Sequence, residues 1–118
     1  MNGVVAPRHR WRPATIRGVR RETPEIVGVE VVPEEWIPHQ AGQYYDLRFP
    51  GDTTVRAYSV VSPPTTVGTV EFGVHVLPGG SFSSRVAVAE AGRRLEIRGP
   101  VGSAFTWHPG LPGRLVLV

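Results

Sequence analysis

Apolar and polar residues alternate strictly along this chain, in runs too short for anything but strands and each stopped by proline or glycine, and this pattern most limits the folds it can adopt. From Glu25 the sequence reads E-I-V-G-V-E-V-V, which puts Val27, Val29 and Val31 on one face before Val32-Pro33 ends the run. Residues 43–49 set Tyr45, Leu47 and Phe49 opposite Tyr44, Asp46 and Arg48, and Pro50-Gly51-Asp52 closes them. Residues 55–62 set Val55, Ala57 and Val61 opposite Arg56, Tyr58 and Val60, ahead of a Ser62-Pro63-Pro64 turn that cannot continue a ladder. Residues 69–77 set Val70, Phe72, Val74 and Val76 opposite Glu71, Gly73 and His75. Leu95 and Ile97 stand opposite Arg94, Glu96 and Arg98, and a weaker first strand covers 13–22. The expectation is all-β: a six-stranded antiparallel Greek-key barrel, whose closure removes exposed edges.

Composition supports this. Val outnumbers Leu by 19 to 6, and the 12 prolines and 14 glycines exclude a helical bundle. One stretch breaks the rhythm. Residues 83–91, S-S-R-V-A-V-A-E-A, predict one short helix with a serine cap and a stop at Gly92. With 118 residues there is room for one core, so residues 13–112 are expected to form the barrel and residues 1–12 a basic N-terminal arm. The unalternating run Arg114 to Val118 looks like the first buried strand of a parallel sheet, so 113–118 are expected to begin a truncated second domain.

Several chemistries are excluded. The absence of cysteine removes disulfides, thiolate zinc sites, cysteine-ligated iron–sulfur clusters and a cysteine nucleophile, and no metal site is expected. No apolar run is long enough to span a bilayer, and the basic residues follow a very short apolar stretch, the wrong order for a signal peptide. A cytoplasmic protein without a membrane partner is the expectation. All thirteen basic residues are Arg, six of them among the first 21 beside Trp11, which would suit a nucleic-acid arm. A solvated tail leading into a strand with Arg on its wet face is preferred, because complete exclusion of Lys points to compositional bias.

Two clusters carry possible chemistry. Arg56, Tyr58 and Ser59, with His75 on another strand, offer a guanidinium fork for phosphate, a flat π-face for a heterocycle and a hydroxyl for its edge. Taken alone, they read first as an ordinary exposed strand with one Arg and one Tyr. Gly79-Gly80-Ser81-Phe82-Ser83-Ser84 leads into the helix, where unpaired N–H groups suit an anion, although serine-capped helices after glycine turns are common.

Together, Arg56-Ala57-Tyr58-Ser59, Val74-His75-Val76, Gly80-x-x-Ser83 and Gly99-Pro100-Val101-Gly102 with Phe105, preceded by Ala41-Gly42-Gln43-Tyr44, resemble the flavin-binding domain of the ferredoxin–NADP reductase superfamily in order and spacing over about residues 11–118. The resemblance implies a cofactor-binding set of Arg56, Ala57, Tyr58, Ser59, Val74, His75, Gly80, Ser81, Phe82 and Ser83. In it Arg56 would hold the pyrophosphate and Tyr58 would pack on the isoalloxazine or its ribityl chain. Ser59 would hydrogen-bond the flavin near N5, and Ser83 with the amides of Gly80 to Ser83 would take phosphate. Ser59 and Tyr58 border the reacting ring and are the catalytic candidates. His75 stands where relatives often carry Lys or Arg, and Trp11, Phe82 and Trp107 are candidates to cover the adenine.

The resemblance further implies FAD in preference to FMN, NAD(P)H acting through a second domain absent from this chain, and a redox acceptor, protein or small molecule. The chain is thus expected to be the flavin half of an NAD(P)H-dependent oxidoreductase, without nicotinamide turnover of its own. A siderophore-interacting ferric reductase and a nucleic-acid-binding barrel using the Arg-rich start are the alternatives.

Overall fold

The computed structural model describes residues 7–102. Trp107, Phe105 and the 113–118 run lie outside them. A 3-10 turn, Pro7–His9, precedes β1 (Arg12–Arg21), β2 (Ile26–Pro33), β3 (Tyr44–Arg48), β4 (Arg56–Ser59), β5 (Val70–His75), α1 (Ser81–Ala87) and β6 (Arg94–Val101). The strands form one sheet in the order β4-β3-β6-β1-β2-β5, with every pairing antiparallel. β6, last among the described residues, inserts between β1 and β3, and this long return makes the Greek key.

The sheet curls until its two edge strands approach each other. They meet at one bridge, Val60 to Phe72, where the Val61 N–H donates to the Glu71 carbonyl (2.8 Å) and the Glu71 N–H donates to Ser62 Oγ (3.1 Å). The expected closed barrel is therefore a curled half-barrel, joined at one end of its seam.

The core follows from period 2. Val27, Val29 and Val31 of β2, Tyr45 and Leu47 of β3, Val70, Phe72 and Val74 of β5, and Leu95 and Ile97 of β6 are all buried, as is Phe49 just beyond β3. Tyr45 meets Phe72 edge-on across the interior at 5.6 Å.

Two expectations are corrected. The alternation reading put Arg56 and Tyr58 on the side away from the core, but Tyr58 pairs with fully buried Tyr45 and is half-buried itself. Val60 also packs on the core, so Ala57, Ser59 and Val61 form the outward face, and Arg56 shares the parity of Tyr58 but stays exposed at the strand's start. Second, the helix begins two residues early, at Ser81, and ends at Ala87 rather than 91. Gly80 is its N-cap and supplies no side chain, whereas starting at Ser81 takes Phe82 into the helix, on the same buried face as Val86 one turn later.

The basic start is largely absorbed by the fold. Arg12 lies within β1, buried, with its Nη2 donating to the Gly99 carbonyl (2.7 Å). Arg10 pairs with Glu35 (2.9 Å), Arg17 with Glu30 (3.5 Å), and Arg20 with Glu22 (2.7 Å) and Glu71 (2.8 Å).

Candidate functional site

β4 is an edge strand, and its residues differ in what they can offer. Tyr58 stacks on Phe82 with ring centroids 5.7 Å apart and planes 29° from parallel. Phe82 in turn lies 5.2 Å from Phe49. One aromatic contact therefore fixes the start of α1 beside the middle of β4 and unites the two clusters. Burial raises the Tyr58 phenol above its ordinary value, against an opposing pull from Arg56, so the ring stays neutral around pH 7.

Arg56 is exposed. Its guanidinium donates to the Val55 carbonyl (3.0 Å) and has no carboxylate partner among the described residues. Ser59 is also exposed, on the opposite face from Tyr58, paired with Tyr44 of β3.

At the helix start, Gly79 takes a φ of 75° and Gly80 is too crowded for any other residue: a Cβ there would lie 2.8 Å from Ser83 Oγ and 3.0 Å from the Leu77 carbonyl. Ser83 is 5% exposed, and its Oγ accepts the Leu77 N–H at 3.0 Å. Ser84 Oγ donates to the Gly80 carbonyl. These hydroxyls close the turn, leaving the N–H groups of Ser81, Phe82 and Ser83 without an acceptor among the described residues.

The remaining predicted residues fall elsewhere. Val74 is fully buried, so it can face a ligand only through its backbone. His75 is exposed with Nε2 3.5 Å from Glu25 Oε2, lining a groove of about 510 Å³ with Arg21, Val76, Leu77 and Pro78. A carboxylate at this distance makes His75 a poorer phosphate ligand than the amides of α1. Phe82, 3% exposed, serves the core. Trp11 has the guanidiniums of Arg48 and Arg98 over its ring at 3.9 and 4.5 Å, and they are held by Glu96 and Asp46 on the outward face of β3 and β6.

Sequence reasoning missed three features. Ser84 sat beside the predicted serine cap, and its spacing from Gly80 was the available signal. The Trp11–Arg48–Arg98 cluster joins β3 and β6 to the residue that precedes β1, and His39 lies in a loop; neither left a local pattern.

Among the described residues there is no group of three His, Cys, Asp or Glu able to hold a metal, and no helix long and apolar enough to cross a membrane. The donor set is a carboxylate-free guanidinium and three unsatisfied amides on two elements joined by a neutral phenol, with an exposed hydroxyl on the outward face of β4. It fits a ligand combining phosphate charge with a flat, polar-edged ring, as FAD does.

Residues 28–106 match the oxidoreductase FAD-binding domain family, and the chain belongs to it; the domain is of the ferredoxin reductase type. It is 34% identical over 93 residues to the phenol hydroxylase P5 protein of Acinetobacter pittii (strain PHEA-2), covering 78% of this chain and 26% of that protein. Against the reductase component of propane 2-monooxygenase from Gordonia sp. (strain TY-5) it is 32% identical over 91 residues, covering 75% of this chain and 26% of the relative. The chain thus spans about a quarter of the length of these curated relatives. Among solved structures, a ferredoxin reductase in carbazole 1,9a-dioxygenase superposes with a TM-score of 0.75 at 27% identity, over 86% of this chain and 32% of that one.

Proposed function

We propose that this chain is the flavin-holding part of an NAD(P)H-dependent oxidoreductase that passes electrons from nicotinamide through FAD to a redox acceptor. The observation that carries this is the Tyr58–Phe82 stack, because it holds β4, the strand that carries Arg56, against the start of α1 with its open amides. FAD, when bound, supplies the chemistry: it accepts a hydride and releases electrons singly or in pairs.

The chain's own residues bind and orient. Arg56 and the N–H groups of Ser81 to Ser83 neutralise the pyrophosphate. Tyr58 offers the edge of a rigid neutral ring to the isoalloxazine, and Ser59 donates or accepts at its polar margin. Val74 contributes backbone only. The family supports FAD over FMN. That two relatives are a phenol hydroxylase protein and a monooxygenase reductase component supports an oxygenase as the acceptor.

FAD fluorescence titration tests the proposal. Loss of a charge-assisted hydrogen bond costs about 1.5–3 kcal/mol, so Arg56→Ala should weaken FAD roughly 10- to 150-fold without unfolding the exposed strand start. Equal dissociation constants would remove Arg56 from the site.

A further inference from the structure

Ser59 Oγ has no hydrogen-bond partner among the described residues, so its place relative to a bound ring depends on the backbone that carries it. That backbone, Ser59 to Ser62, is held at two points by one loop between β2 and β3. The Gln43 carbonyl accepts the Val60 N–H (3.2 Å), and His39 Nε2 lies 3.2 Å from the Ser62 carbonyl. Gln43 is itself braced, its side chain accepting the Gln40 N–H (2.9 Å) and donating to the Gly102 carbonyl (2.9 Å). Ser62 also receives the Glu71 N–H on its hydroxyl, so it is the residue where loop, flavin strand and barrel seam converge.

His39 is unusual for its surroundings. It is 3% exposed and packs edge-on against Trp36 at 6.3 Å. A carbonyl can only accept, so Nε2 carries a ring proton, and in the neutral imidazole Nδ1 is then a bare acceptor. Nδ1 is buried and has no hydrogen-bond partner among the described residues. An orphaned buried nitrogen is unfavourable, and Phe would fill this volume and keep the Trp36 contact without it. What imidazole adds, and Phe cannot, is the N–H to Ser62.

Resting on the flavin proposal, we infer that His39 is a positioning residue: through the Ser62 carbonyl it fixes the end of β4 and thereby the Ser59 hydroxyl that meets the flavin edge.

Wild type, His39→Phe and His39→Gln decide this. Each is titrated with FAD and its bound-flavin visible spectrum and reduction potential are recorded, while long-range ¹⁵N–¹H correlation reads the His39 tautomer in the wild type. The expected results are an Nε2–H ring, a folded His39→Phe that binds FAD about 3- to 10-fold more weakly with a shifted spectrum and potential, and recovery in His39→Gln, which keeps an N–H donor. Wild-type affinity, spectrum and potential in His39→Phe, or an Nδ1–H ring, would overturn the inference while leaving the flavin proposal standing. Should His39→Phe fail to fold, the tautomer and the His39→Gln spectrum decide, a spectrum unlike wild type counting against it. A wild-type chain that binds no FAD overturns both.

Discussion

Tyr45 is fully buried, and its hydroxyl has no hydrogen-bond partner among the described residues. Burial pushes its phenol up to about 12, against an opposing pull from Arg12. The folded state thus prefers the neutral phenol more than the unfolded chain does. The associated stability is complete below the ordinary phenol value of 10.0 and is lost as pH climbs towards 12, amounting to roughly 2 kcal/mol over that window. Tyr45→Phe removes the orphaned hydroxyl and opens no large cavity. Urea unfolding should show stability at pH 7 unchanged or raised by up to about 1 kcal/mol, with a shallower decline between pH 10 and 12; Tyr58, raised in the same direction, keeps some of that decline in place. A loss well above 1 kcal/mol at pH 7 would mean the hydroxyl is satisfied. The inward turn of Tyr45 was legible, since Leu47 and Phe49 share its parity. The roles of His39 and Trp11 were not, because their partners, Ser62 in one case and Arg48 and Arg98 in the other, lie 23 or more positions away and only the folded sheet joins them.

β2, β3, β5 and β6 could be read directly because each keeps its buried large apolar side chains on one parity. β4 could not. Its stretch V-R-A-Y-S-V-V carries apolar residues on both parities, so alternation could not choose a face, and the pairing of Tyr58 with Tyr45 makes the choice. The helix shows a similar competition. Two serines at 83 and 84 resemble a cap, yet the start is set by burial of Phe82 and Val86. Phe82 is consequently the element's anchor, touching Phe49 and Tyr58 at once. Phe82→Ala should cost about 3–5 kcal/mol of stability by thermal or urea unfolding, and should weaken FAD beyond any effect on Tyr58 alone because the open amides of α1 lose their register. Stability near wild type would show that α1 docks by other contacts.

A curled sheet leaves a seam, and in this molecule the seam and the candidate site coincide. β4 and β5 meet at Val60 and Phe72, while α1, which follows β5 in the chain, reaches back to β4 through Phe82. The barrel topology could be anticipated from strand count and turn spacing. Its incomplete closure could not, because closure depends on edge pairing between residues 60 and 72 rather than on any local pattern. The outward face of β3 and β6, next to Ala57 and Ser59 of β4, carries Trp11 under Arg48 and Arg98 and is occupied by its own ion pairs with Glu96 and Asp46. Location is therefore the sharpest test. In a ¹⁵N-labelled chain titrated with FAD, amide shift changes should concentrate at residues 56–59 and 80–84 and leave Trp11, Arg48 and Arg98 nearly unmoved. Saturable changes centred on Arg48 and Arg98 instead, or none anywhere at FAD concentrations well above the protein, would contradict a flavin site at this seam.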